Sequence, residues 1–232
     1  MDKRFKKLFE PIKIGNVTVK NRIFMPSMFT SYAGSYGECT HQDIGYYEAR
    51  ARGGAGLITI DYTCISPEGR GMRTQRGLWD DRFMPHFSRV VDAIKSRGAV
   101  ASVQLHHAGI VAVEQPKGPS RLSYREFFVT SPGEFSTEEV EQLVEKFADA
   151  AVRAKNCGVD MVEVHGAHGY LICQFISPLL NMRTDKYGRD KPLFAVEIVQ
   201  KIKRMCGADF PVSFRISADE YCPGGITLDY AK

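Results

Sequence analysis

Five short apolar runs alternate along this chain with amphipathic helices, and that alternation restricts it to a parallel sheet buried on both faces. The runs are Ile23-Phe24-Met25, Gly56 to Ile60, Ala99 to Leu105, Met161 to Val164 and Pro211 to Ile216. Thr40 caps the first helix, with Asp43 at its third position and Ile44, Tyr47 and Ala51 on one face; Gly53-Gly54 stops it. The next runs from Asp80 to Arg97, carries Phe83, Phe87, Val90, Val91 and Ile94 inward, and ends at Gly98. Ser136 and Glu139 form a capping box ahead of a helix that buries Val140, Leu143, Val144, Phe147, Ala151 and Val152, closed by Gly158. A last helix spans about Leu193 to Cys206. Ahead of everything, Ile12-Lys13-Ile14 and Val17-Thr18-Val19 flank Gly15-Asn16, the pattern of a type II′ hairpin. Gly109 to Pro132, rich in Pro, Gly and Ser, is a long loop.

A buried parallel sheet is either doubly wound or an eight-stranded barrel. Doubly wound nucleotide folds carry a G-x-G-x-x-G or P-loop after an early strand, and neither is present. Gly53-Gly54-Ala55-Gly56 precedes a strand, so it is a helix stop. The polar clusters fall instead after several strands, at Gln104, His106, His107, His165, His168, Tyr170 and Arg215. Assembly from many strand ends is the barrel habit. The expected fold is therefore an α/β TIM barrel with an N-terminal hairpin, of which about five β/α units are present and strands six to eight are missing. Residues 1–232 then form one partial barrel domain.

The 31 basic and 27 acidic residues are scattered and leave a net charge of +4, which excludes the basic stripe of a nucleic-acid binder. No apolar run approaches the ~20 residues of a membrane span. The charged start, Met1 to Lys7, has no hydrophobic segment or cleavage site behind it and is no secretory signal. Cys39, Cys64, Cys157, Cys173, Cys206 and Cys222 are widely spaced, without C-x-x-C. That argues against structural zinc or a disulfide framework and fits free thiols in a cytoplasmic protein.

Within Asp160 to Gly188, an apolar strand breaks at Gly166 and presents His165, His168 and Tyr170 within six residues. Three proton-handling groups at one strand end form a candidate site. H-x-x-H can ligate a metal, but these histidines lack the H-E-x-x-H helix pattern and sit in a glycine-rich turn; a structural pair is the other alternative. Tyr170 could equally be a buried aromatic, and Gln104 a strand-end side chain satisfied by backbone. Arg215, inside an apolar strand, is costly to bury unpaired; its plain alternative to a binding role is an ion pair with Glu163.

These segments resemble the old yellow enzyme family of FMN-dependent ene-reductases on a TIM barrel. The resemblance is carried by Leu8 to Ile12, Lys20 to Ile23, Val103 to Gly109, His165 to Tyr170, Ser177 to Asn181 and Arg183 to Gly188, and runs to Thr227. Pro26-Ser27-Met28 with Thr30 is similar to the large bacterial 2-enoate, 2,4-dienoyl-CoA and bile-acid enone reductases. The resemblance implies FMN as cofactor and NAD(P)H as reductant, with a 4Fe-4S cluster and FAD belonging only to a longer parent chain. It implies hydride delivery to the β-carbon of an α,β-unsaturated carbonyl or thioester, a small-molecule enone or enoate. His165 and His168 would hold the carbonyl and Tyr170 would supply the proton. Pro26, Ser27, Met28, Tyr62, Gln104 and Arg215 would hold the flavin, Arg215 at its N1/C2 edge.

Three departures from the family pattern stand out. Phe29 occupies a position where a hydrogen-bonding side chain is usual, Tyr62 is large, and Arg189-Asp190-Lys191-Pro192 replaces a glycine and charged segment. Barrels commonly grip phosphate through loops after strands seven and eight, so the isolated chain is expected to bind FMN weakly and to expose open sheet edges. Association with the missing half-barrel, or a homo-oligomer of open half-barrels, would close it. The competing expectation is a non-catalytic remnant or interaction module that no longer binds FMN.

Overall fold

The computed structural model describes residues 3–121 and 132–232. Strands β1 (Ile12–Ile14) and β2 (Val17–Val19) pair antiparallel as the expected hairpin, with Gly15 at φ +58°. Ile12, Ile14, Val17 and Val19 pack on Leu57, Val100 and Met161, which stand at or beside the N-terminal starts of three parallel strands. The hairpin thus plugs one end of the sheet and leaves the other for chemistry.

That sheet comprises β3 (Phe24–Met25), β4 (Leu57–Cys64), β5 (Val100–His106), β8 (Met161–Gly166) and β9 (Val212–Ile216), all parallel and in chain order. A doubly wound sheet reverses its strand order at a switch point; this one does not. Helices α1 (His41–Arg52), α2 (Met84–Lys95), α3 (Thr137–Asn156) and α6 (Leu193–Cys206) connect successive strands. Ile58, Ile60, Val103, Leu105, Val162 and Val164 join Phe87, Ile94, Phe147 and Ile198 in one core between sheet and helices. Each such side chain contributes about 1.5–3 kcal/mol on burial. Because side chains alternate along a strand, the opposite face carries Ser102, Gln104, His106, Glu163, His165 and Arg215. The strands are apolar toward the helices and polar toward the interior, which the apolar runs alone did not distinguish.

Several local expectations change. Phe24, expected in a buried strand, is 46% exposed because β3 is a two-residue edge strand paired only with β4. At the other edge Phe214 and Ile216 are partly exposed beside a cavity of about 790 Å³ that Ile176, Ala195, Val199 and Tyr230 also line. The helix expected from Asp80 starts as a 3-10 turn (Asp81–Phe83), with the Asp80 carboxylate accepting from the Arg82 N–H. The long loop contains a 3-10 turn (Gly109–Val111) and β6 (Lys117–Gly118), which pairs with β7 (Gly133–Glu134); its residues 122–131 lie outside the described residues. Helix α4 (Leu171–Ile176) was not expected: all six residues are buried, so no amphipathic period marks it. Short helices α5 (Lys186–Arg189) and α7 (Leu228–Ala231) complete the chain.

Candidate active site

The site lies at the C-terminal ends of the strands. Strand β8 stops at Gly166, where a Cβ would fall 2.3 Å from the Phe214 ring on β9, so any other residue would have to displace that ring. The chain then turns through His168, held at φ +62° with its N–H donating to Ser217 Oγ at 2.8 Å. Tyr170 caps the start of α4, which Gln174 ties back to the β5 loop through Ala108 O and Ile110 N. The outcome is a ring cluster. His165 lies 4.9 Å from His168 and 5.2 Å from Tyr170, and His106 lies 4.4 Å from Tyr170, centroid to centroid.

Tyr62 joins this cluster through a backbone irregularity. Ile58 and Ile60 face the helices, and simple alternation would send Tyr62 the same way. The β4–β5 register shifts between Ile60 and Thr63 by one extra residue, a bulge that re-aims the side chain. Its ring lies 4.6 Å from His106, 6.0 Å from Tyr170 at 24°, and 5.0 Å from Phe29.

Burial holds the histidines neutral. The His165 imidazolium is disfavoured by desolvation, then by His168 and Arg215, which bring its pKa down to about 3. Burial, then Arg215, lowers His168 as well. His165 Nδ1 accepts from the Ala167 N–H at 3.2 Å, so its proton sits on Nε2 and that nitrogen is a donor. Burial raises Tyr170, which keeps its phenolic proton. His107 is also pushed down by burial, to about 4. These shifts carry a stability signature. Between pH 6.5 and about 4 the unfolded chain binds protons at His165 and His107 that the folded chain refuses, so folding stability falls as pH drops through that window. Urea midpoints are expected to be lower at pH 5 than at pH 7.5, and equal midpoints would contradict neutral burial.

The flavin-facing candidates are brought together in part. Ser27 Oγ donates to Gln104 Oε1 at 2.9 Å, and Gln104 Nε2 donates to Glu163 Oε1 at 2.6 Å. Pro26 and Met28 flank Ser27 with exposed side chains, so any role they have rests on their backbone. Arg215 lies opposite His165 across β8 and β9. The ion pair with Glu163 does not form; the two interact only at longer range, and no hydrogen bond or ion pair joins the Arg215 guanidinium to any described residue.

One constellation escaped sequence reasoning. Arg76, 2% exposed, is clamped between the buried carboxylates of Asp43 and Asp61. Asp61 Oδ2 also accepts from the Thr30 N–H at 2.8 Å, and Asp43 Oδ2 from the Thr40 N–H at 2.8 Å. The Tyr47 hydroxyl accepts from the Asp61 N–H. The network pins the segment after β3, which carries Ser27, to β4 and α1. An acidic residue inside the Leu57–Cys64 strand was the available signal, since a buried carboxylate requires a cation. The Arg183–Asp185 pair and Asn181 are structural: Asn181 Nδ2 donates to Phe175 O and Tyr187 O, and Arg183 reaches Pro119 O.

Among the described residues no group of three or more His, Cys, Asp or Glu side chains could hold a metal ion, and no helix is long and apolar enough to cross a membrane. The six cysteines are free, five of them buried.

A chain-order parallel sheet, plugged at one end and bearing neutral donors at the other, defines a barrel-type protein with its binding site at the strand ends. The chain belongs to the NADH:flavin oxidoreductase / NADH oxidase family, whose profile matches residues 7–230. It is 44% identical to the NADH oxidase of Thermoanaerobacter brockii, over 98% of this chain and 36% of that protein. It is similar to a 2-naphthoyl-CoA reductase in complex with 2-naphthoyl-CoA, with a TM-score of 0.93 at 29% identity over 98% of this chain and 38% of the other. The old yellow enzyme of Pichia sp. AKU4542 superimposes with a TM-score of 0.87 at 28% identity, over 96% of this chain and 62% of the other. The chain therefore spans about a third of the first two relatives, and its five strands are part of a TIM barrel of the old yellow enzyme kind.

Proposed function

We propose that residues 1–232 are the larger part of an FMN-binding barrel in an NAD(P)H-dependent ene-reductase. The observation that carries this reading is the neutral pair of His165 and His168, their ring centroids 4.9 Å apart, with the Tyr170 ring 5.2 Å from His165. Two neutral imidazoles can donate to one carbonyl oxygen without a charge to desolvate, and their bonds strengthen as enolate charge develops. Tyr170, protonated and against the same cluster, serves as proton donor to the α-carbon.

The residues suit the flavin ring. Arg215 offers a half-buried guanidinium that makes no direct ion pair with a described residue, suited to an electron-rich ring edge. Gln104 keeps one free N–H and one free lone pair, matching an imide edge. Ser27, flanked by Pro26 and Met28, borders that amide. Bound FMN, reduced by NAD(P)H, supplies the hydride. The exposed Phe214 and Ile216 beside the 790 Å³ cavity are where the next strand–helix unit would pack. An α,β-unsaturated carbonyl or thioester is the substrate class that two carbonyl donors and a proton donor fit.

A second reading, a module that has lost its flavin, is favoured by one observation: Tyr62 stacks near Tyr170 with Phe29 behind it and narrows the site. FMN titration of the protein at its full natural length, followed by flavin fluorescence quenching, separates the two. Saturable binding that Arg215→Leu weakens at least about tenfold, the ~1.4 kcal/mol lost with one charged contact, is expected. Absence of binding would establish the second reading.

A further inference from the structure

Glu163 is an acid in the middle of β8 that the assignments above do not use. Register places it between Gln104 on β5 and Ser213 on β9, with all three side chains on the interior face. Its Oε1 accepts from Gln104 Nε2 at 2.6 Å. A glutamine amide can present either end to its surroundings, and the two choices differ only in which neighbours they satisfy. A carboxylate accepts and does not donate, so it admits only the nitrogen end. Gln104 is 2% exposed and is thereby left with Oε1 toward the Ser27 hydroxyl. Without Glu163 the Ser27 hydroxyl, which both donates and accepts, would tolerate either orientation.

The second consequence is electrostatic. Arg215 is the cation that faces Glu163 from β9, and their charges interact without a direct ion pair. The cavity that Glu163 lines toward the hairpin is also lined by Thr59, Met161 and Ser213, which are uncharged, and by the exposed Arg22, the other charged residue there. A carboxylate in this position offsets part of the Arg215 field at the strand ends. Burial raises the Glu163 pKa, and the bond from Gln104 and the charge of Arg215 oppose that rise.

We propose that Glu163 is a positioning residue: it selects the Gln104 amide orientation offered to the cofactor and, by offsetting Arg215, sets how strongly the site prefers reduced over oxidised flavin. This rests on the FMN reading above. A mere tie between β5 and β8 would affect stability and leave that preference alone.

The test is a spectroelectrochemical titration of bound FMN at pH 7 in the protein at its full natural length, with melting temperature measured in parallel. Glu163→Gln removes the charge and releases the amide. It is expected to raise the midpoint potential, because an Arg215 no longer offset favours the anionic reduced ring by about tenfold, equivalent to about 30 mV for two electrons. Glu163→Asp keeps the charge but shortens the reach, and is expected to shift the potential in the same direction by less. It stands in where the Gln variant does not fold. A potential unchanged in the folded variants, whatever happens to the melting temperature, overturns the proposal and leaves Glu163 a structural tie. If the wild-type protein binds no FMN, the functional reading falls and the proposal with it.

Discussion

Tyr170→Phe is expected to lower turnover of an α,β-unsaturated carbonyl by roughly 10²–10⁴-fold, the usual contribution of a positioned general acid. Tyr170 lies over His106 and His165, its ring is half-buried, and burial keeps its proton in place at neutral pH. Removing one oxygen preserves the ring and its contacts, so FMN affinity and reduction by NAD(P)H should stay within about twofold, well under the ~1.4 kcal/mol of a tenfold change. Stopped-flow measurement of the two half-reactions separates these effects. A loss confined to flavin reoxidation by the unsaturated substrate supports the donor role. Unchanged reoxidation would remove Tyr170 from the mechanism and leave it a packing residue.

Arg76→Leu is expected to be the most destabilising single substitution in the described structure, by about 3–5 kcal/mol. The reason is the state it leaves behind. Asp43 and Asp61 are 0% and 2% exposed, and both would remain buried with no cation to meet them. Asp61 would also hold the Thr30 N–H less firmly, which loosens the segment carrying Ser27. Chemical denaturation at pH 7 measures the loss. A triple replacement, Asp43→Asn and Asp61→Asn together with Arg76→Leu, should recover a substantial part of it, because no charge is then stranded. A loss below about 1 kcal/mol for Arg76→Leu alone, the scale of an exposed pair, would show that water reaches the network.

Much of the molecule was legible in short stretches of sequence. The hairpin at Gly15, the capping box of Ser136 and Glu139, the helix ending at Cys206 and the glycine stops at Gly98 and Gly158 depend on neighbours a few residues apart, and they formed where periodicity and cap chemistry put them. The clustering of His165, His168 and Tyr170 was legible for the same reason, being one strand end and one turn. Helix α4 was not, because a helix buried on all sides has no polar stripe to reveal its period.

What the sequence alone determined is the set of local elements and the residues that meet at a single strand end, since both follow from interactions over a turn or two of chain. The tertiary structure decided which side chains from different strands share a face. It sent Tyr62 inward through a bulge, joined Ser27 to Gln104 and Gln104 to Glu163, left the Arg215 guanidinium without a direct hydrogen bond or ion pair to a described residue, and enclosed Arg76 between two carboxylates. Those outcomes depend on contacts between segments 15 to 77 residues apart and, for the strand residues, on the register between strands. A one-residue shift there reverses every side chain, and no local pattern records it.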